Sequence, residues 1–183
     1  IRIMHILDKY VKSDMSVLDA GCGSGFFSKY FLNKKCNVFS LDYSNEALEI
    51  TKKMTNRKAN YINGDLLDEN LCKKYEGNFD LIFSDGLFEH FHKSDQMKII
   101  NNMKIMKSKN GLIITCVPNK YSFWEVIRPI FMPKIKESPF VLKELIDLNK
   151  DLSLKTIEYG GINVFPFKYS PEFFGSNFGM ILY

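Results

Sequence analysis

Gly21, Gly23 and Gly25 stand at alternate positions two residues behind an acid, Asp19. Such a string lets the chain turn tightly and brings backbone N–H groups against a ligand with no Cβ atoms in the way. An apolar run over 16–20 precedes it and a segment of helical character over 26–33 follows. The string therefore joins a strand to a helix, whose unpaired N–H groups and positive dipole end face anything held there. Three uses compete at this point. A tight structural turn is the plainest. A dinucleotide loop calls for glycine where Phe26 stands, and a phosphate-cradling loop calls for Gly-Lys-Ser/Thr, which does not follow. An acid just before the glycines suits a cationic ligand better than a pyrophosphate. Two further carboxylates, Asp42 and Asp65, lie at or just beyond the ends of short apolar runs. A carboxylate accepts from two neighbouring hydroxyls. Glu89, His90 and His92 follow a fourth run, and an imidazole takes and releases protons near neutral pH. The plainer uses are a surface turn for Asp42, an Asx turn after Gly64 for Asp65, and a structural brace for Glu89 and His90.

Strands and helices must alternate to hold these residues at one edge. Ile3, Met4, Leu7, Tyr10 and Val11 recur at helical spacing. Strands are predicted over 16–20, 37–42, 60–63, 79–84 and 112–117, with helices over 26–33, 45–54 and 95–106. Ser44 and Ser94 are the expected caps of the last two helices. The helix over 95–106 is expected to end before Asn110-Gly111. Beyond Pro118 come a helix over 140–148 and strands over 154–159 and 178–183. This rhythm implies βαβ units and a parallel sheet, with strands buried on both faces.

The bulk properties fit one domain. The 183 residues, 45% hydrophobic and 25% charged, can bury one sizeable core. The net charge of +4 is mild and spread out, which argues against a nucleic-acid track. Cys22, Cys36, Cys72 and Cys116 form no CxxC pair, so no metal site is expected, and scattered single cysteines fit a reducing, cytoplasmic setting. No apolar run reaches the roughly 18 residues of a membrane span. The chain begins with Ile1 rather than Met, so a missing N-terminal piece is an open expectation.

Val17-Leu18-Asp19-Ala20-Gly21-Cys22-Gly23-Ser24-Gly25 resembles the first motif of the class I S-adenosylmethionine-dependent methyltransferases. Leu41-Asp42-Tyr43-Ser44, Gly64-Asp65-Leu66, Phe79 to Ser84 with Gly86-Leu87-Phe88-Glu89-His90, and Gly111 to Asn119 resemble the family's later segments in the family's order. The resemblance covers residues 1–119 well and the rest loosely. It implies a single doubly wound α/β domain over 1–183, three-layered αβα, with a mostly parallel seven-stranded sheet whose last strand is antiparallel. It implies S-adenosylmethionine as cofactor, bound by Asp19, Gly21, Cys22, Gly23, Gly25, Asp42, Tyr43, Asp65, Leu66 and Ser84. Asp42 would take the ribose hydroxyls, Asp65 the adenine amino group beside Leu66, and Tyr43 the adenine face. Asp19 and the backbones of Gly21 and Ser84 would hold the methionine end. His90, with Glu89 beside it, is the candidate base.

Residues 119–150 read as an acceptor-side insertion. Tyr121, Phe123, Trp124, Ile127, Ile130, Phe131 and Met132 make it more apolar than an ordinary loop. A helix packed on the core, a lid over an apolar small molecule, and a patch over 119–135 for transient membrane contact all remain open. The expected activity is methyl transfer to a small apolar or aromatic acceptor. Methylation of RNA or protein, a non-catalytic cofactor-binding module, and a nucleotide-dependent reductase are the rivals. Phe26 and Asp19 speak against the reductase. The strand-four loop lacks the Asp/Asn-Pro-Pro-aromatic string of amino-methylating nucleic-acid enzymes, and no Pro-Cys occurs. Oligomeric state leaves no mark on the sequence.

Overall fold

The computed structural model describes residues 2–122, 125, 138–150, 152–162 and 177–182. Helix α1 (Arg2–Tyr10) leads into β1 (Ser16–Ala20), α2 (Phe26–Asn33), β2 (Asn37–Asp42), α3 (Asn45–Met54) and β3 (Asn60–Asn63). Next come α4 (Glu69–Lys74), β4 (Phe79–Asp85), a 3-10 turn (Phe88–His90), α5 (Lys93–Met106) and β5 (Lys107–Pro118). Helix α6 (Leu142–Lys150) and strands β6 (Thr156–Ile162) and β7 (Asn177–Leu182) complete the described elements.

The strands stand in the order β3-β2-β1-β4-β5-β7-β6. The first five run parallel. Strand β7 lies antiparallel to both β5 and β6. The order reverses between β1 and β4, and a doubly wound sheet binds its ligands in the crevice outside such a switch point.

Side-chain alternation divides the core between the two faces of the sheet. Leu18, Ile82 and Ile113 pack towards Ile99, Ile100, Met103, Leu145 and Leu148 of α5 and α6. Val17, Leu81, Phe83 and Ile114 pack towards Leu7 of α1 and Tyr30 and Phe31 of α2. The result is the α/β Rossmann-like fold in three layers. Among the described residues, no helix is long and apolar enough to cross a membrane.

Three local expectations need correction. Helix α5 starts at Lys93, and its N-cap is His92, not Ser94; no side chain caps it. The helix instead starts straight from the 3-10 turn, to which Gln96 is tied by two 2.9 Å bonds to the Phe88 and Phe91 carbonyls. Strand β5 begins at Lys107, five residues before the apolar run. Lys107 pairs with Phe79, and the register then shifts before Leu81 pairs with Leu112. Residues 107–110 are polar and lack strand alternation, which hid this stretch, and Asn110-Gly111 lies inside the strand. Helix α4 was not foreseen; Asp68 caps it through the Asn70 N–H at 2.9 Å. The expected Ser44 cap of α3 is present, with Ser44 Oγ accepting from Ala47 N at 3.2 Å.

Candidate cofactor and acceptor site

The glycine turn crosses the C-terminal ends of β1 and β2 and is tied down from three directions. Leu41 O accepts from Gly21 N and Cys22 N at 2.9 and 3.0 Å. Asp42 Oδ2 accepts from Gly23 N at 3.0 Å. Thr51 of α3 donates to Gly23 O at 2.9 Å and lies 3.5 Å from Cys22 Sγ. Two glycines are required by geometry. Gly21 has φ +74°, and a Cβ there would meet Leu87 Cδ1 at 3.1 Å. Gly25 has φ +77°, and a Cβ would meet the Thr51 backbone at 2.8 Å. Gly25 is also the N-cap of α2, with no side chain capping the helix. The helix therefore presents its first N–H groups to the turn.

Two cavities flank the turn. One, about 320 Å³, is lined by Gly21, Gly23, Asp42, Tyr43, Asp65, Leu66, Leu87, His90 and Phe91, among others. The other, about 310 Å³, is lined by Asp19, Gly21, Cys22, Gly23, Ser24, Phe26, Phe27 and Asp85. Nine of the twelve sequence-chosen residues line one or both. Asp42 is held ready: Ser44 N donates to its second oxygen at 3.0 Å, and a carboxylate retains capacity for further donors. Asp65 makes the Asx turn, accepting from Leu67 N at 2.8 Å, and faces the cavity as well. Tyr43 stands at the rim, 79% exposed.

Gly25, Ser84 and Glu89 line neither cavity. Gly25 serves packing against Thr51. Ser84 is buried, its hydroxyl 2.8 Å from Thr115 Oγ1. Glu89 is 4% exposed, and its carbonyl accepts from Ser138 N at 3.1 Å. His90 is exposed and faces the first cavity. The sequence reading did not select Ser24, Phe27, Gly86, Leu87, Phe91 or Asp85 as site residues. Gly86, with φ +72°, left a readable signal as a glycine directly after a strand. The others are placed by the sheet's closure, which no local pattern reports.

Asp19 is buried, and Ser28 Oγ donates to it at 2.6 Å. Burial pushes its carboxyl up to about 7, with the Ser28 bond opposing and the nearby Asp85 and Asp42 charges adding to the rise. Burial alone takes Asp85 up to about 6. Burial also lifts the Cys22 thiol to about 12, so it stays protonated and unreactive. Among the described residues, no group of three His, Cys, Asp or Glu is placed to hold a metal ion.

A third cavity, about 500 Å³, lies on the other side of Phe91, lined by His92, Gln96, Lys120, Phe140, Glu144 and Leu148 among others. Its wall joins the two ends of the 119–150 segment. Phe140 N donates to Pro118 O at 2.8 Å, and Lys120 N to Phe140 O at 3.0 Å. Phe140, Leu145 and Leu148 are buried in the core, so this part of the segment packs as a core helix. Phe123, Trp124, Ile127, Ile130, Phe131 and Met132 lie outside the described residues.

A glycine turn at the switch point of a parallel sheet, with a carboxylate at the tip of the second strand, defines a nucleoside-cofactor domain. Residues 11–161 match the profile of a family described as "Methyltransferase domain", and the chain belongs to that family. It is 30% identical over 110 residues to a ribosomal protein L11 methyltransferase of Thermosipho melanesiensis, covering 60% of this chain and 40% of that protein. It is 32% identical over 127 residues to a ribosomal RNA small subunit methyltransferase C of Buchnera aphidicola, covering 66% and 37%. The chain thus spans well under half the length of these relatives. A methyltransferase structure from Archaeoglobus fulgidus, described as SAM-dependent, superposes with TM-score 0.78 at 15% identity, over 99% of this chain and 91% of that one. The family's cofactor is S-adenosylmethionine. The site fits it: the two cavities meet at Gly21 and Gly23, the first offering carboxylates to a nucleoside, the second offering acids to a cationic tail.

Proposed function

We propose that this chain transfers the methyl group of S-adenosylmethionine to a small acceptor seated beyond Phe91. The supporting observation is the third cavity, which shares Phe91 with the cofactor cavity and has an apolar floor of Phe140 and Leu148. A concave, partly apolar cavity beside a cofactor site is what a small acceptor requires.

When bound, S-adenosylmethionine supplies an electrophilic methyl on a sulfonium leaving group. The chain's own part is positioning, worth roughly 7–11 kcal/mol when reacting atoms are well aligned. Asp42 grips the ribose, Asp65 meets the adenine amino group beside Leu66, and Tyr43 covers the adenine face. Asp19 and the Gly21 backbone hold the methionine end. His90 takes the acceptor's proton where the acceptor atom is oxygen, a role typically worth about 10²- to 10⁴-fold in rate. Four buried, unpaired cysteines support a reducing, cytoplasmic setting.

Methylation of protein or RNA is the second reading, favoured by the likeness to a ribosomal protein and a ribosomal RNA methyltransferase. Incubating the purified chain and methyl-labelled S-adenosylmethionine with a small-molecule extract and, separately, with ribosomal subunits separates the two. Label in a small-molecule product supports the small-acceptor reading. Label confined to protein or RNA overturns it. Cofactor binding without label in any fraction leaves a cofactor-binding module as the function.

A further inference from the structure

Asp85 ends β4 one strand away from Asp19 on β1. Asp19 pairs in register with Phe83, and strand alternation puts residues 83 and 85 on one face of the sheet. That face carries Phe83 and the Ser28 bond to Asp19, so both carboxylates address the same space. Both line the 310 Å³ cavity with the glycine turn, and no Lys, Arg or His stands among its described lining residues. Asp19 is answered by Ser28. The Asp85 carboxylate receives no hydrogen bond from a described residue. A largely buried carboxylate without a donor is costly unless a cation reaches it.

We propose that Asp85 is a cofactor-binding residue, forming with Asp19 a two-carboxylate seat for the α-ammonium group of S-adenosylmethionine. This rests on the cofactor reading above and adds a residue to it. The free N–H groups at the start of α2, whose Phe26 and Phe27 line the same cavity with Ser24, suit the α-carboxylate instead. The ammonium is thereby left to the acidic wall.

The seat makes binding proton-linked. Asp85 faces Asp19 from β1 and the Cys116 thiol from β5, while Asp42 from β2 and Cys22 from the turn bear on Asp19. None of these is cationic, so the empty seat retains protons that an incoming ammonium expels. Affinity therefore rises with pH through the range where Asp85 and Asp19 ionise, about 6 to 7, and levels off above it.

Calorimetric titration of the whole chain with S-adenosylhomocysteine and with 5′-methylthioadenosine, which lacks the amino-acid tail, tests the seat. At about pH 8, Asp85→Asn should weaken the homocysteine compound roughly tenfold, the loss of one charge-assisted hydrogen bond. It should leave 5′-methylthioadenosine within about twofold and flatten the wild-type pH dependence. S-adenosylmethionine should lose as much as S-adenosylhomocysteine, since both carry the ammonium. Equal weakening of both homocysteine compounds and 5′-methylthioadenosine, or no weakening of any by a folded variant, would overturn the proposal. So would a loss confined to S-adenosylmethionine, which would assign Asp85 to the sulfonium. Asp85→Ser serves if the amide does not fold. If wild type binds none of the three, the cofactor reading itself fails and takes the seat with it.

Discussion

The cofactor side and the acceptor side of this domain are held together by different means. Around the glycine turn, neighbouring backbone groups, Ser44 N among them, and two side chains, Asp42 and Thr51, fix one another within β1, β2 and the helix that follows. On the acceptor side, the 88–91 turn hangs from Gln96 of α5, and Glu89 O reaches Ser138 across a long stretch of chain. The first region is specified locally and can hold its shape for one invariant ligand. The second depends on distant segments meeting, so its shape can change with the acceptor while the sheet stays the same. Binding and chemistry should then be separable by mutation.

The sharpest way to break this comparison is at Gly25. Gly25→Val imposes a β-branched side chain at φ +77° against the Thr51 backbone, a combined strain and overpacking cost of about 3 kcal/mol or more. The expected outcome is a sharp drop in denaturation midpoint with loss of cofactor binding; an unchanged midpoint would show the turn to be pliable. Next, His90→Ala should lower turnover about 100-fold on an oxygen acceptor while cofactor affinity stays within about twofold. Equal losses in both would place His90 in cofactor binding. Gln96→Ala removes two bonds worth about 1 kcal/mol each and should cut turnover about tenfold, with cofactor affinity nearly unchanged by titration. The smallest effect is on stability. Asp19 and Asp85 hold protons in the fold that the unfolded chain loses near pH 4. Their contribution to stability therefore falls as pH rises from about 4 to about 7 and is flat beyond. Without ligand, Asp85→Asn should melt a few degrees above wild type at about pH 8 and level with it near pH 4. The opposite order would mean that Asp85 is paired in the empty protein.

The same division decided what could be read from residues alone. The parallel strands, the glycine turn, Asp42, Asp65 and the Ser44 cap were legible because each writes a local signature: an apolar run, a turn residue, or an acid at a strand's end. Helix α4 and the start of β5 were not, since six residues of α4 and the polar 107–110 stretch carry no clear period. Asp85 was overlooked because its significance depends on β1 and β4 lying side by side. Ser84 and Gly25 were expected to bind the cofactor and Glu89 to serve catalysis, but all three line neither cavity and make structural contacts instead. The division of 119–150 between a core helix and a cavity wall follows from Phe140 pairing with Pro118 and Lys120, a contact between segments that no window of sequence contains.

Titrating the whole chain and its Asp42→Ala variant with S-adenosylmethionine tests the central claim most directly. Tight binding by wild type, weakened about 100-fold or more as two charge-assisted hydrogen bonds to the ribose are lost, is the predicted result. Undiminished binding by a folded Asp42→Ala protein, or none by wild type, would contradict it.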